Sequence, residues 1–586
     1  FANGFEFAAI VTTAVLAGLL FFKKSLEEFA VRRISSAPHR VLFGLGETAE
    51  ALLANERAAG RAGRYVVVEK EEAPARLEPL RRAGTGVLVH DALDEGLFDR
   101  LDFEQMEGAM ITLGDDRLNM ELAVRLVERY QKEDVRTPIK LLVHLRDRRL
   151  ESLFHESFIL PRFDPRHPID VATFSWYDEA AESLFDTAPV EGETARLVEN
   201  GDPFHLTVLG TGELAANLVA EAAERAHLPE QNPLHIHLVG REAERFAARL
   251  RRRYPGIDRV VTLHPHPLDE ESPAFVERHE EDHWSLSPMP HVVVCHDDEN
   301  ANVKLAIDLF DRVYRAEAAD GTLEPRIDVA LFHTYSLHDQ IDADGEMYDR
   351  FHSFARAARV CTYENIFEER HDTIAKLIHY GYAEEYDPMA LHDLSDPDTR
   401  EKIDAKWYGS ASLHDKLSSR AQAKHIDIKL KALGLARRPA VDFPIEELLA
   451  DNRKLLDEKL ATDRQKTGVD DALLHRWYEE LRKSWSGEPF EVPWFPTRFE
   501  TTFEKLIRAE HERWNAFHYL QGWRHAPKTD KRKKEHACLK PLHEFVEPEL
   551  QLTILYDIYA ILYIPNYLAA AGYAVVSLEE KEEKKS

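Results

Sequence analysis

The chain alternates short apolar runs with longer segments in which apolar residues recur every three or four positions. Between residues 39 and 174 the apolar runs are 40–43, 65–68, 84–89, 108–113, 139–145 and 169–174. Short apolar runs bounded by turn residues are typical of buried strands, and the segments between them are typical of amphipathic helices. Six strands alternating with helices predict a complete doubly wound parallel sheet.

The same pattern starts again at Phe204, with apolar runs at 206–209, 234–239 and 260–263. Two short motifs recur with it. Residues 44–49 and 210–215 share the form G-x-G-E-x-A, and Asp115-Asp116-x-x-Asn119 recurs as Asp298-Glu299-x-x-Asn302, each directly after an apolar strand. Motifs repeated in the same order predict two tandem, homologous, Rossmann-like α/β domains.

The N-terminal part carries sixteen residues without a charge, 7–22, which would form about 24 Å of helix. Extended back to Phe1, this segment approaches the roughly 30 Å of a bilayer core. Lys23, Lys24, Arg32 and Arg33 follow it, so the positive-inside rule places the body of the protein in the cytoplasm. We predict a transmembrane helix here, with a buried or interfacial helix as the alternative.

The chain becomes polar and helical from residue 384 to about 489. Segments 413–435 and 446–462 have the apolar spacing of surface helices, with a break marked by Pro439 and Pro444. This region is either a lever or spacer between modules or an ordinary helical subdomain, and both interpretations fit the pattern. A last module begins near Pro493.

The predicted domains follow one another along the whole chain. They are a transmembrane helix (1–24), a linker (25–38), a first Rossmann domain (39–200), a second Rossmann domain (201–383), a helical spacer (384–492), a terminal module (493–576) and a charged tail (577–586).

Composition narrows the classes of function. The formal net charge of −30 argues against nucleic-acid binding, because phosphate contacts need clustered Lys and Arg. The three cysteines lie far apart, which supports neither a disulfide framework nor a zinc ribbon. Near His511 an H-E-x-x-H metal motif fails, because position 515 is Asn. The histidine pairs 235/237 and 264/266 lack a third ligand nearby in sequence, so we predict no metal site.

The candidate binding site lies in the first domain. Gly44 and Gly46 form a glycine turn between a strand and a helix, and Ala49 stands at the third position, where only a small residue is needed. Glu69 ends the second strand, about twenty residues on, where a carboxylate can accept hydrogen bonds from ribose hydroxyls. A strand, turn, helix and acid in this order predict a nucleotide site.

The second domain lacks the corresponding acid. Its second strand ends in Gly240-Arg241, and its third is followed by His264-Pro265-His266 without Asp. Either Arg241 binds a phosphate, as in sites that accept a 2′-phosphate, or this domain is degenerate and kept for packing.

Over residues 38 to 380 these motifs resemble, in two copies, the RCK family, regulators of potassium conductance that are also called TrkA N-terminal domains. The resemblance implies a domain that binds adenine nucleotides or dinucleotides (NAD(H), ATP or ADP) and acts on a pore helix. Carried over to this chain, it places Gly44, Gly46 and Ala49 at the phosphates, Glu69 at the ribose and Asp91 at the adenosine end. Asp115 and Asn119 would line the crevice where the strand order reverses.

Residues 495–576 resemble the bacterial form of the ryanodine-receptor (RyR) repeat. The resemblance rests on A-E-H-E-x-W at 509–514, G-W at 522–523 and L-K-P at 539–541. It implies a small helical module that senses a ligand or a partner, without established catalysis. His511 and Trp514 share a helix face, and Trp523 stands near the basic run that contains Lys531, so these four residues are candidates for a second ligand site.

The leading hypothesis is the cytoplasmic sensor of an ion channel for potassium or another cation, in which nucleotide binding moves the membrane helix. The runner-up is a membrane-anchored receptor or effector for a nucleotide signal, for example in anti-phage defence, that is not a channel. An NAD-dependent oxidoreductase comes third, and we expect no enzyme activity. Closed symmetry favours a homotetramer in the inner or plasma membrane, with eight domains in a ring.

Overall fold

The computed structural model describes residues 27–137, 139–162, 164, 166–167, 169–187, 203–269, 291–320, 326–333, 351–367, 372–384, 397–409, 412–440, 443–496 and 498–578. The chain forms two compact units. Unit 1 comprises residues 1–176 with 357–370, and unit 2 comprises residues 177–356 with 371–586.

Unit 1 is built on a parallel sheet of six strands. They are β1 (His39–Phe43), β2 (Tyr65–Glu69), β3 (Gly86–Val89), β4 (Met106–Ile111), β5 (Ile139–His144) and β6 (Ile169–Phe174). Their order across the sheet is β3-β2-β1-β4-β5-β6. The predicted doubly wound sheet is confirmed, and its strand order reverses between β1 and β4, which is where such sheets bind ligands.

Helices cover both faces of this sheet. They are α1 (residues 27–35), α2 (Glu47–Ala58), α3 (Pro74–Arg82), α4 (Glu95–Phe98), α5 (Asp116–Lys132) and α6 (Arg148–Phe154). Successive side chains of a strand point to opposite faces, so β1 contributes Val41 and Phe43 to one core and Leu42 to the other. Both cores are needed because a parallel sheet is buried on both sides.

Unit 2 contains a second sheet with the same topology. Its strands are β7 (Phe204–Leu209), β8 (Leu234–Val239), β9 (Thr262–His266), β10 (His291–Val294), β11 (Arg326–Ala330) and β12 (Phe351–Phe354), in the order β12-β11-β10-β7-β8-β9. In the opposite direction this order is β9-β8-β7-β10-β11-β12, which corresponds strand by strand to β3-β2-β1-β4-β5-β6 of the first sheet. The tandem duplication predicted from the motifs is therefore confirmed at the level of the fold.

One strand boundary was wrong. The third strand of the second copy was expected at 260–263, but β9 pairs with β8 from Thr262 to His266. The strand continues through two histidines because backbone hydrogen bonds to β8 decide its length, whereas the prediction followed apolar side chains only. The helices α8 (Glu213–Arg225), α9 (Ala243–Arg253) and α10 (Glu299–Asp320) alternate with the strands of this sheet, and α7 (Trp176–Thr187) precedes them in the chain.

A segment that follows the second sheet in sequence belongs to unit 1. Its two short helices, α11 (Ala357–Val360) and α12 (Tyr363–Ile366), pack on α2. The Asn55 amide donates to the carbonyls of Ala358 and Cys361, at 3.0 and 2.8 Å. The predicted boundaries at 200 and 383 therefore do not separate the compact units, since the chain returns to unit 1 after β12.

The rest of unit 2 is helical. Its elements are α13 (Asp372–Ala383), α14 (Pro397–Gly409), α15 (Leu413–Lys424), α16 (Ile426–Ala432), β13 (Leu435–Pro439), α17 (Ile445–Thr467), α18 (Asp471–Ser486), α19 (Thr502–Leu520), β14 (Arg524–His525), β15 (Glu535–His536), α20 (Pro548–Leu552), α21 (Ile554–Leu562), α22 (Ile564–Ala570) and β16 (Tyr573–Ser577). The expected helix over 413–435 is divided at His425 and ends at Ala432, before Gly434 (φ +68°) turns the chain into β13.

One hydrophobic core joins the predicted spacer to the terminal module. Trp407 and Trp477 from the spacer region share it with Phe503 and Ile558 from the terminal region. β13 also pairs antiparallel with β16, at opposite ends of this part of the sequence. Of the two interpretations of residues 384–492, the structure supports a helical subdomain rather than a separate lever.

The apolar segment 7–22, predicted to span a membrane, lies outside the described residues. Among those described, no single helix is long and apolar enough to cross a bilayer. A pair bent by 42°, Pro548–Leu562 with Ile564–Ala570, would reach that length and apolarity only when taken together.

Candidate functional site

The glycine turn after β1 meets the loop after β4 at the place where the strand order reverses. Gly44 has a φ of +87°, and a Cβ on it would lie 2.5 Å from the carbonyl oxygen of Thr112. The Thr112 hydroxyl donates to the carbonyl of Gly44, at 2.9 Å. Only glycine fits both this backbone conformation and this close approach, so the turn requires the residue that the motif supplies.

The α2 helix begins directly after this turn, with Gly46 as its N-cap residue and no capping side chain. Free backbone N–H groups and the helix dipole make such a helix start favourable for an anion. Gly46 has ordinary backbone angles, and a Cβ there would stand 3.4 Å from the Thr112 carbonyl oxygen. The turn can therefore bring backbone close to a phosphate, as predicted for Gly44 and Gly46, although their contact with a ligand stays a prediction.

Glu69 ends β2 beside the turn. Its Oε2 accepts the backbone N–H of Leu45, at 2.8 Å, and its Oε1 accepts the N–H of Lys70, at 2.8 Å. The carboxylate is half-buried. This places an acceptor at the glycine turn, where ribose hydroxyls lie in dinucleotide-binding folds.

Asp91 lies after β3, on the far side of Glu69. It pairs with the Lys70 ammonium at 2.9 Å and accepts the N–H of Leu93 at 3.0 Å. These two contacts, the backbone one first, lower the pKa of Asp91, so it is ionised at neutral pH. The structure thus brings Gly44, Glu69 and Asp91 to one end of the sheet, as expected for the carboxyl ends of neighbouring parallel strands.

Ala49 does not face the open side of the turn. It is fully buried in the core between the sheet and α2, with Leu42 and Met110. The side chain at the third motif position serves close packing of helix on strand, and a place for Ala49 at the phosphates stays a prediction.

Asn119 and Asp115 both bond backbone groups; Asn119 is buried, Asp115 is exposed, and their place in the crevice stays a prediction. Asn119 is fully buried, accepts the N–H of Leu113 and donates to the carbonyl of His144, both at 2.8 Å. Asp115 caps α5 by accepting the N–H of Leu118 at 3.0 Å. In the second copy Asn302 makes the same kind of bonds, to His296 and Ala330. The duplicated motif is structural, because buried backbone groups at these strand ends need partners.

A cation that the motif does not contain lies at the first site. The Arg76 guanidinium, in the first turn of α3, pairs with Glu50 at 2.5 Å and donates to the carbonyl of Leu45. The hydrogen bond to Glu50, and then the charges of Glu50, Glu69 and Glu47, raise the pKa of Arg76. Arg76 lies seven residues after Glu69, at the start of the next helix, and this position in the sequence could have marked it as a candidate site residue.

In the second copy the carboxylate of Asp297 lies at the start of α8, whereas the corresponding start of α2 has no capping side chain. Asp297 accepts the N–H groups of Glu213 and Leu214, at 3.3 and 3.4 Å, at the start of α8. A Cβ on Gly212 would meet its carboxylate at 2.2 Å. Arg241, the candidate phosphate ligand, pairs with Asp269 at 2.7 Å. This arrangement supports the interpretation that the second domain is degenerate, because the Asp297 carboxylate occupies the start of α8, where a phosphate would otherwise bind.

The candidate second ligand site is only partly assembled. The Nε2 of His511 donates to the Lys540 carbonyl (2.9 Å), and its Nδ1 pairs with Asp557 (3.3 Å). Burial lowers the pKa of His511, but the contact with Asp557 outweighs it and the net pKa is raised. His511 is thus buried and occupied by structural partners, while Lys531 is exposed.

Trp514 and Trp523 do come together, in a cluster of aromatic rings. Trp514 packs on His518 with ring centres 4.0 Å apart, and Trp523 stacks on His414 at 5.0 Å. Burial first lowers the pKa of His414 to about 4, and the charges of Lys534 and Lys531 add to this. A ligand role for these rings stays a prediction.

Five histidines lie on one face of the second sheet. His205 bonds His237 at 3.0 Å, His237 bonds His266 at 3.0 Å, and His264 bonds His235 at 3.1 Å. The two pairs noticed in the sequence are thus joined by a fifth ring from β7. Among the described residues no group of three or more His, Cys, Asp or Glu side chains is arranged to hold a metal ion.

Comparison with known proteins bears on the first unit. A family model described as the TrkA-N domain matches residues 41–156. No curated protein matches the chain. The comparisons give no support to a ryanodine-receptor repeat at 495–576. TrkA-N domains are typical ligand-sensing regulatory domains of potassium transport systems, and they generally bind NAD(H)-type dinucleotides. Residues 41–156, which run from β1 past α6, are therefore similar to a TrkA-N domain.

Proposed function

We propose that unit 1 binds an adenine nucleotide or dinucleotide at the turn of Gly44 and Gly46. The observation that carries this proposal is the Glu69 carboxylate, which accepts the N–H of Leu45 within that turn and remains half-buried beside it. The phosphates would lie at the start of α2, and the ribose hydroxyls at Glu69.

The charge of Glu69 also bears on which dinucleotide fits. A carboxylate beside the ribose favours a free 2′-hydroxyl and repels a 2′-phosphate. We therefore propose NAD(H), ATP or ADP rather than a 2′-phosphorylated dinucleotide.

The proposed role of this binding is regulation rather than catalysis, in keeping with the sensing role of TrkA-N domains. In the leading proposal the chain is the cytoplasmic sensor of a membrane pore for potassium or another cation, and residues 7–22 connect it to that pore. The alternative is a membrane-anchored receptor or effector for a nucleotide signal that conducts no ions.

Calorimetry of the full chain with ADP, ATP, NAD⁺, NADH and NADP⁺ tests the binding. We expect saturable binding of compounds with a free 2′-hydroxyl and much weaker binding of NADP⁺. Equal affinity for NAD⁺ and NADP⁺ would remove Glu69 from the ribose position.

Assembly and conductance separate the two roles. We propose a homotetramer, and mass photometry in detergent should give four chains, whereas a dimer would favour the receptor. A flexible Gly-Ser insertion should uncouple ligand from conductance without changing affinity. The insertion belongs between residues 22 and 27, because residues 27–35 are themselves packed on the first sheet.

A further inference from the structure

The α3 helix contacts the first site at its beginning. Arg76 reaches back over the glycine turn, where it pairs with Glu50 and donates to the Leu45 carbonyl. The site otherwise presents carboxylates, including Glu47 and Glu69, which act on the same guanidinium. A phosphate at the turn therefore meets Arg76 as its nearest cationic partner on α3.

The end of α3 contacts the N-terminal helix. Arg81 pairs with Glu27, the first described residue of α1, at 3.0 Å. It also pairs with Glu78 at 3.0 Å and with Glu72 at 3.2 Å. The side chains of Arg81 and Glu27 are only 14% and 21% exposed, so solvent screens this pair less than an ordinary surface pair.

The α1 helix is seated on the edge strand of the first sheet. Val31 and Ile34 are buried in the core of unit 1. A Cβ on Gly86 of β3 would stand 3.2 Å from Ile34 Cδ1 and 3.3 Å from Val31 Cγ2. The absence of a side chain at Gly86 thus provides the space in which α1 lies, five residues after the apolar segment 7–22.

We propose that α3 transmits occupancy of the first site to α1, with Arg76 binding the phosphates at one end and Arg81 holding Glu27 at the other. This inference rests on the proposed nucleotide site and adds the route by which that site acts on the N-terminal segment.

The physical argument is competition for one guanidinium. Bidentate pairing of arginine with phosphate is strong, so bound ADP draws Arg76 away from Glu50 and the Leu45 carbonyl. Leu77 is fully buried, and α3 turns about this contact when its first turn moves. Arg81 lies five residues after Arg76, about 7.5 Å along the helix axis, and carries the movement to Glu27.

The test measures ADP affinity by calorimetry and amide hydrogen exchange of residues 27–35 by mass spectrometry, both on the full chain. In the wild type, ADP changes the exchange of these residues by at least about twofold. Arg76→Gln weakens ADP binding at least about tenfold, because a charge-assisted contact is lost. Glu27→Gln leaves ADP affinity within about twofold but abolishes the response of residues 27–35.

Glu28→Gln is the matched control. Glu28 neighbours Glu27 but pairs with Arg100, outside α3, at 3.6 Å, so it should keep both affinity and response. Gly86→Ala is a second way to break the route: its methyl group presses on Val31 and Ile34, and it should reduce the response without weakening ADP binding.

Each outcome decides the proposal. A response that survives Glu27→Gln and Gly86→Ala while ADP still binds overturns the route through α3 and leaves the nucleotide site intact. Unchanged affinity in Arg76→Gln overturns the role of Arg76. No binding of ADP to the wild type overturns the proposed function and this inference together.

Discussion

The two Rossmann copies share the backbone features of their glycine turns and differ in which carboxylate lies beside the turn, Glu69 in the first copy and Asp297 in the second. In both, the first glycine has a positive φ, +87° at Gly44 and +138° at Gly210. In both, an arginine of the next helix donates to the carbonyl between the glycines, Arg76 to Leu45 and Arg249 to Thr211. The loop after the fourth strand differs between the copies, however. Gly114 precedes Asp115 in the first copy, and Asp297 precedes Asp298 at the corresponding position of the second copy.

This difference shows how two copies of one fold can differ in the space that they leave for an anion at the glycine turn. The start of α2 has no capping side chain, whereas Asp297 accepts two N–H groups at the start of α8. A carboxylate from the chain satisfies the donors that a phosphate would otherwise satisfy. The glycine motif, taken alone, therefore reports the shape of the turn, and the neighbouring loop decides whether a ligand can use it.

The largest effect is expected from Gly44→Ala, which tests the glycine turn that both copies share. The positive φ and a Cβ 2.5 Å from the Thr112 carbonyl oxygen should together cost about 3 kcal/mol of unfolding free energy. Native-state hydrogen exchange of β1 and β7 should show the loss in the first sheet, and Gly210→Ala should mirror it in the second. Gly60→Ala is the control, since its φ is +72° but nothing lies within 4 Å, so it should cost only about 1 kcal/mol. Equal costs at 44 and 60 would contradict the close approach.

The proposed difference in ligand binding between the copies is tested by Glu69→Ala. Loss of the ribose acceptor, and of the partner of the Leu45 N–H, should weaken ADP binding by about 1–3 kcal/mol, or roughly 5- to 150-fold. Arg241→Ala, which changes the corresponding strand end in the second copy, should leave the affinity unchanged. Calorimetry that shows the two variants binding ADP equally well would place the ligand elsewhere.

A fall in pH should lower the stability of the second sheet, because its buried histidines resist protonation in the folded state. Burial, and then the charges of His264, His266 and His205, lower the pKa of His237 to about 3. Because the folded pKa lies below the unfolded value of about 6.5, protons bind the unfolded state preferentially, and stability present above pH 6.5 is lost as the pH falls toward 3. At pH 5 His237 alone should account for about 2 kcal/mol.

Tryptophan fluorescence can follow this loss, since Trp176 is the only one of the eight tryptophans within unit 1. His237→Gln should flatten the acid dependence of the fluorescence transition between pH 6.5 and 4. An unchanged acid midpoint in this variant would show that other groups govern the transition.

The smallest expected effect comes from a substitution of Asp297, the carboxylate that only the second copy has at this place. Asp297→Gly restores the residue of the first copy, and it should cost about 1 kcal/mol of stability, as the loss of a helix cap does. It should also open a second, weaker ADP site, without a ribose acceptor, so that calorimetry resolves two binding events. Asp297→Asn keeps the bulk of the side chain and should open no second site. Unchanged stability together with a single site in Asp297→Gly would refute the role assigned to this carboxylate.

The sequence by itself determined the six strands of the first sheet, the tandem arrangement, the glycine turn and the position of Glu69. These features depend on local rules: apolar runs form buried strands, and only glycine tolerates the backbone of Gly44. Unit 1 matches the TrkA-N model over the stretch where these local signals were strongest.

The tertiary structure alone decided which polar side chains are free to bind. Asp297 bonds the start of α8, 84 positions earlier in the chain. The side-chain amide of Asn119 bonds backbone groups, and α11 contacts α2 across about 300 residues. The helical spacer likewise proved to share one core with the terminal region. No local pattern encodes such contacts, because they depend on which loops and helices meet when the sheets and their layers pack.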